Sequence, residues 1–365
     1  MTKARVTIVI DPAREQQMLD RLDIDRLSVV AEVTVVPMTV ASTIEGAPET
    51  DAAAEARLTN LLRDTDALVV THGAPRIASP VLDAAPRLTF IGELEGDRFF
   101  GRVDVDEATA RGITVVDTTH GSSRPVAEFA LAMSILGLRD TWRYARRLQA
   151  GDQVTPTART EPDRITNTEL EGRTVGLIGF GHIGWRLTEL LRPFHCEVVA
   201  YDPFAARELA EIADVTFTRD LDTLLRASDV VVCLVPHNAA TTGMIAAEQL
   251  AALRPGAVFV NVARGGVVDT AALVAAALRD EQVFCLDVLD PEPIPVGHPL
   301  RDLPNVMLTP HLAGATGQSR RRFFALMVDE LLRHFAGHEP RAQVTARSRE
   351  GRGPGSASPT RSTPL

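Results

Sequence analysis

Arg264, Glu292 and His311 have the side-chain types that carbonyl reduction requires, and each stands just past a short apolar, β-branched run. Hydride addition to a carbonyl builds negative charge on the oxygen, which a cation and a proton donor must meet. Arg264, after Val258-Phe259-Val260-Asn261-Val262-Ala263, can fork onto a carboxylate and the carbonyl beside it, giving charge and orientation together. His311, after Leu308-Thr309-Pro310, can supply the proton. Glu292, in Asp290-Pro291-Glu292-Pro293, can hold the imidazole and stabilise its charged form. Each has a bland alternative. An Arg after a strand is usually a solvated loop residue, a His near a strand end is usually structural, and a Glu between prolines usually decorates a turn. Three such residues at three strand ends escape those readings if a hydride carrier binds at the same edge.

The segment Thr174-Val175-Gly176-Leu177-Ile178-Gly179-Phe180-Gly181-His182-Ile183-Gly184 supplies a site for that carrier. An apolar strand runs into G-x-G-x-x-G and then a helical pattern. Gly179 permits the tight turn, Gly181 lets the backbone approach a pyrophosphate, and Gly184 lets the helix pack close with its N–H groups toward the phosphates. The motif alone is weak. However, the next run, Val198-Val199-Ala200-Tyr201, ends in Asp202, eighteen residues beyond Gly184. A carboxylate there accepts hydrogen bonds from the adenosine ribose and repels a 2′-phosphate. The order strand, glycines, helix, strand, acid predicts a dinucleotide site that takes NAD in preference to NADP, although Arg207 lies nearby.

In an open parallel sheet, ligands bind outside the carboxyl ends of the strands, so these residues require such a sheet to align them. Runs at 174–178, 197–201, 230–235, 257–262, 283–287 and 306–308 alternate with helical patterns, as the sheet demands. An earlier series, at 6–10, 29–36, 67–70, 88–91 and 113–116, predicts a second α/β domain. Between the two series, Val126, Ala127, Ala130, Leu131, Ser134, Ile135 and Leu138 recur at helical spacing, predicting a bridging helix over 122–139. Residues 151–167 read as a surface loop and 318–335 as a closing amphipathic helix. From 341 to 365 the chain has five Arg, one Glu and much Ser, Pro and Gly, which predicts disorder, because too little apolar surface can be buried to offset ordering entropy.

The 38 basic and 48 acidic residues give a net charge of −10, which argues against nucleic acid as partner but leaves small anions open. No apolar run approaches the roughly 18 residues of a membrane helix, and the N-terminus lacks the layout of a signal peptide. Cys196, Cys233 and Cys285 form no C-x-x-C pair and read as reduced thiols in or beside apolar runs. A cytoplasmic enzyme without membrane or metal is the expectation.

Taken together, Gly179-Phe180-Gly181-His182-Ile183-Gly184, Asn261-Val262-Ala263-Arg264-Gly265-Gly266, Leu286-Asp287-Val288 with Glu292-Pro293, and Thr309-Pro310-His311 resemble the signatures of the D-isomer-specific 2-hydroxyacid dehydrogenases. Leu170-Glu171-Gly172-Arg173-Thr174 and Arg254-Pro255-Gly256 fit as well, and the likeness runs from about residue 65 to 337. It implies two Rossmann-like, doubly wound parallel-sheet domains, with the cofactor domain inserted into a discontinuous substrate domain. The boundaries become 1–120 and 312–338 for substrate, 121–311 for NAD and 339–365 for a disordered tail. It also implies Arg264, Glu292 and His311 as the catalytic set, a small 2-oxo or 2-hydroxy acid as substrate, and a homodimer formed through the NAD domain. Tyr201 and Pro203 would flank the ribose beside Asp202. Val235, Pro236, Thr241, Val262, Ala263, Arg264, Asp287, His311, Ala313 and Gly314 would line the dinucleotide, with Asp287 near the nicotinamide carboxamide.

One region departs from the family pattern. The loop expected to hold the substrate carboxylate with backbone N–H groups reads Gly92-Glu93-Leu94-Glu95-Gly96-Asp97-Arg98-Phe99-Phe100-Gly101-Arg102, with three acids relieved only by Arg98 and Arg102. Either those side chains turn away or the substrate is unusual. Glu95, Gly96 and Arg98, with His72, Gly73 and Arg124, are the candidate substrate residues, and a structural role would suit His72, Gly73 and Arg124 equally well. Two alternatives stay open: a relative oxidising formate or a phosphorus oxyanion, and a non-catalytic NAD(H) sensor like the C-terminal binding protein co-repressors.

Overall fold

The two series of apolar runs become two parallel sheets, each covered on both faces. The computed structural model describes residues 3–42, 47–94, 99–153, 168–205, 208 and 212–345. Its first sheet comprises β1 (Ala4–Ile10), β2 (Ala31–Pro37), β3 (Ala67–Val70), β4 (Phe90–Glu93) and β5 (Thr114–Asp117), in the order β2-β1-β3-β4-β5. The second comprises β6 (Thr174–Ile178), β7 (Glu197–Tyr201), β8 (Thr216–Thr218), β9 (Val230–Cys233), β10 (Val258–Asn261), β11 (Val283–Leu286) and β12 (Val306–Leu308), in the order β12-β11-β10-β9-β6-β7-β8. Every pairing is parallel. In the second sheet the strand order reverses between β6 and β9, which sets the switch point where such sheets take ligands. The chain divides into a unit containing the first sheet, from the N-terminus to Ser122 and again from Thr316, and a unit spanning Ser123–Ala315 that contains the second.

Period-two alternation fills both faces of each sheet. In the second, Val175, Leu177, Val230, Val232, Val258, Val260 and Cys285 meet Ala127, Ala130 and Met133 of the helix Ser123–Leu138 and Leu187 and Leu191 of the helix His182–Leu191. The opposite face buries Ile178, Val231, Phe259 and Phe284 against Leu224, Leu250 and Leu273. In the first sheet, Ile8, Ile10, Val69, Phe90 and Val116 meet Phe324, Met327, Val328 and Leu331, one stripe of the helix Gly317–Phe335. That helix starts where Thr316 Oγ1 accepts from the Ser319 N–H at 3.1 Å, meeting one of the donors a helix start leaves open. Burial pushes the thiols of Cys233 and Cys285 up to about 12, so both act as small apolar core residues. No described helix is long and apolar enough to cross a membrane.

Three local readings need correction. The strand expected from residue 29 begins at Ala31, because Val29 and Val30 turn out of the helix Arg21–Ser28 and are exposed. The edge strand β8 was not foreseen, since its three residues, Thr216-Phe217-Thr218, carry too little pattern. Disorder was expected from 339, yet Ala342–Val344 lie along β5. The Asp117 N–H donates to Ala342 O at 3.1 Å, the Val344 N–H donates to Val115 O at 2.8 Å, and Glu330 accepts from the Arg341 N–H at 2.6 Å. One apolar residue, Val344, buried in the core, and the open edge of β5 outweigh the polar composition. The rest of the tail, 346–365, and most of the expected surface loop, 154–167, lie outside the described residues. Truncation before Arg341 should therefore lower the melting temperature by several degrees relative to truncation after Thr345. It removes about 2 kcal/mol of side-chain burial and hydrogen bonding. Equal melting temperatures for the two truncated proteins would contradict this docking.

Candidate active site

The carboxyl edge of the second sheet presents its groups in strand order. His311 follows β12, Asp287 and Glu292 follow β11, Arg264 follows β10, Pro236 and His237 follow β9, the glycine turn follows β6, and Asp202 follows β7. Arg264, Glu292 and His311 thus come from three neighbouring strands of one unit.

At the glycine turn, Gly179 has φ +97°, and a Cβ there would lie 3.0–3.1 Å from Leu234 and Val235 at the end of β9. Only glycine fits both the left-handed backbone and that approach. Gly181 opens the helix His182–Leu191 without a side-chain cap, and a Cβ on it would face open space. Backbone donors at an uncapped helix start, beside unobstructed space, suit a pyrophosphate. A dinucleotide bound here would supply the hydride, with Gly179–Gly184 holding its phosphates.

Asp202 does more than end a strand. Its Oδ2 accepts from the Phe180 N–H at 2.8 Å, and its Oδ1 accepts from Phe204 at 2.8 Å and Ala205 at 3.1 Å. The carboxylate therefore ties β7 to the glycine turn while keeping lone-pair capacity for a ribose hydroxyl. Tyr201 and Pro203 flank it in the chain. At the switch point, Thr241 Oγ1 donates to Pro236 O at 2.6 Å and accepts from the Asn238 N–H at 2.9 Å, so it fixes the loop after Val235.

After β10, buried Asn261 accepts from the Ala263 N–H and donates to Arg264 O, both at 3.1 Å, which shapes the turn carrying Val262 and Arg264. Arg264 Nη1 donates to Ala263 O at 2.7 Å. Gly265 follows because a Cβ would fall 2.0 Å from the Leu289 backbone.

His311 Nδ1 and Glu292 Oε1 are 2.7 Å apart, each side chain roughly one-third exposed. His311 has φ +54°, an uncommon backbone for a non-glycine residue, so the surrounding structure must hold it there. Asp287 is what holds it. Buried at 1% exposure, it accepts from Thr309 Oγ1 at 2.5 Å and from the N–H groups of Leu312 at 2.8 Å and Ala313 at 2.9 Å, and its carbonyl accepts from the His311 N–H at 2.9 Å. Sequence reading had assigned Asp287 only to the nicotinamide and had missed this clamp. The one available signal was an acid ending a buried strand. Gly314 follows in the same turn.

The candidate substrate residues are described within each unit. Glu93 and Arg102 are 0% and 2% exposed, with Arg102 Nη1 donating to both carboxylate oxygens at 2.7 Å. Their charges compensate inside the first unit, so Glu93 is not an acid facing an anion site. His72, after β3, has Nδ1 3.2 Å from Ser42 Oγ, and Gly73 has φ +92° with a would-be Cβ 2.1 Å from Met38 O. Arg124 is exposed in the first turn of the helix Ser123–Leu138, in the other unit. Glu95, Gly96 and Arg98, like Arg207, lie outside the described residues.

Comparison with known proteins identifies the family of the second unit. Residues 131–313 match the family model described as D-isomer specific 2-hydroxyacid dehydrogenase, NAD binding domain. A glyoxylate reductase from Thermofilum pendens is 37% identical over 290 residues, 78% of this chain and 82% of that protein. A D-3-phosphoglycerate dehydrogenase from Archaeoglobus fulgidus is 32% identical over 77% of this chain, which spans about half (52%) of its length. The crystal structure of an NADPH-dependent glyoxylate/hydroxypyruvate reductase from Sinorhizobium meliloti, in complex with NADP and malonate, is 28% identical with a TM-score of 0.65. It covers 95% of this chain and 98% of its own. A Rhodotorula graminis D-mandelate dehydrogenase, 22% identical with a TM-score of 0.77 over 94% and 98% of the two chains, shares the fold.

Proposed function

Since the chain belongs to the D-isomer specific 2-hydroxyacid dehydrogenase family, oxidoreductases that use NAD(P) and act on CH–OH groups, we propose that it reduces a small 2-oxo acid, with Arg264 orienting the substrate and His311 and Glu292 as its acid–base pair. The 2.7 Å contact between His311 and Glu292, on a turn clamped by Asp287, carries this reading. Arg264 binds the substrate carboxylate and the adjacent carbonyl, a nicotinamide bound at this edge would supply hydride to that carbonyl carbon, and His311 gives its proton to the oxygen. Glu292 holds the imidazole in place for that transfer. In the oxidative direction His311 takes the hydroxyl proton.

The burial of Glu93 against Arg102 takes one of the three loop acids out of the case for an unusual substrate. We place the substrate among short 2-oxo acids of the glyoxylate and hydroxypyruvate kind, following the named relatives. We further read the active form as a homodimer joined through the unit Ser123–Ala315, whose helix Thr141–Gln149 leaves Trp142 and Leu148 exposed. The test is NADH consumption with a panel of 2-oxo acids, beside NAD reduction with 2-hydroxy acids, formate and phosphite. Turnover with formate or phosphite alone would replace this reading, and NADH binding without any turnover would favour a sensor.

NAD is preferred because Asp202 directly follows β7, although the Sinorhizobium meliloti enzyme uses NADPH. The ratio of kcat/KM for NADH over NADPH should be at least about tenfold, a difference near 1.4 kcal/mol. Asp202→Ala should narrow it, but chiefly by lowering NADH affinity, because the Phe180, Phe204 and Ala205 N–H groups lose their acceptor. Equal use of the two cofactors by the wild type would refute the assignment.

A further inference from the structure

Three of the six residues 290–295 around Glu292, Pro291, Pro293 and Pro295, lack backbone N–H groups, so donors to the carbonyls of this loop take a larger share in fixing it. Two side chains do this on either side of Glu292. Thr270 Oγ1 donates to Asp290 O at 2.6 Å. Beyond Glu292, Arg301 donates from Nη2 to Ile294 O at 2.7 Å and from Nε to Pro295 O at 2.9 Å. The turn Pro299–Arg301 is anchored in turn, because Arg146 Nη1 donates to Arg301 O at 3.1 Å. A planar fork spanning two consecutive carbonyls fixes a peptide's orientation in a way that a single donor cannot.

We propose that Arg301 is a positioning residue for the acid–base pair, strapping the 290–295 loop so that the Glu292 carboxylate stays against His311. This rests on the reading of Glu292 and His311 given above. Nothing in the motifs marks Arg301, which stands ten residues before His311 in Pro299-Leu300-Arg301-Asp302. If the strap is cut, the loop keeps its proline-restricted backbone but is less firmly placed. The carboxylate then spends less time within reach of the imidazole.

The other charged or titratable groups on the elements named here include Arg146, Arg264, Asp269, Asp287, Asp290, His298 and Asp302, and Arg301→Met replaces none of them. The variant keeps the apolar stem and removes the donors. Its kcat for reduction should fall about tenfold, below the roughly 10²-fold that an ångström of misplacement can cost. KM for the 2-oxo acid, and NADH affinity read by fluorescence titration, should be unchanged. Arg301→Lys, with one compact donor, should recover part of the loss, and adding Arg301→Met to Glu292→Gln should slow reduction no further. Thr270→Val, which frees the opposite anchor, should lower kcat in the same way should Arg301→Met fold poorly. If Arg301→Met and Thr270→Val leave kcat at the wild-type value, or slow the Glu292→Gln enzyme as much as they slow the wild type, the strap does not act on Glu292 and the proposal is overturned. If Glu292→Gln itself leaves kcat unchanged, the acid–base reading fails first and the strap loses its purpose with it.

Discussion

Replacing His311 with Ala should lower turnover roughly 10²–10⁴-fold, the range for losing a general acid, while NADH binding stays almost intact. The companion variant, Glu292→Gln, keeps the shape of the contact and removes its charge. With its Oε1 2.7 Å from Nδ1, the carboxylate holds the imidazole in the orientation that proton transfer needs. Turnover should therefore fall in both directions, by less than in His311→Ala, with KM for the 2-oxo acid and NADH affinity close to wild type. Adding Glu292→Gln to His311→Ala should cost little more, because the two residues act as one unit. Full turnover in Glu292→Gln would leave Glu292 as a residue of the turn and nothing more.

The second large effect is expected at Arg264. Arg264→Ala should reduce kcat/KM for the 2-oxo acid by roughly 10²–10³, the cost of removing one preorganised donor from a developing oxyanion. It stands after β10, in a turn shaped by Asn261, where the proposed substrate site calls for a cation. Cofactor affinity by fluorescence titration should be close to wild type. Loss of NADH affinity as large as the loss in kcat/KM would move Arg264 into cofactor binding.

How much of this was legible in the sequence depended on where each partner sits. Gly179–Gly184 and Asp202 could be read because strand, turn, helix and strand follow one another along the chain, and the chemistry repeats that order. The three catalytic candidates could be read because each comes within a few residues of the end of an apolar run, which made their shared edge a consequence of one parallel sheet. What stayed hidden was reciprocal contact. Asp202 looked like a ribose acceptor, but its bond to the Phe180 N–H spans two strands. Asp287 looked like a neighbour of nicotinamide, but its clamp on Leu312 and Ala313 depends on the β11–β12 pairing. Glu93 looked like an intrusive charge in an anion loop because no pattern reveals that Arg102, nine residues on, folds back to bury it. The pairing of Ala342–Val344 with β5 was masked by composition, which averages away a single buried valine.

The central claim is that this carboxyl edge delivers hydride and proton to a 2-oxo acid. Chiral analysis of the product formed from NADH and glyoxylate-like 2-oxo acids that generate a stereocentre tests it most directly. One D-2-hydroxy acid, formed in step with NADH consumption and lost in His311→Ala, is the predicted result. An L-product, or no 2-hydroxy acid from any 2-oxo acid despite tight NADH binding, would contradict it.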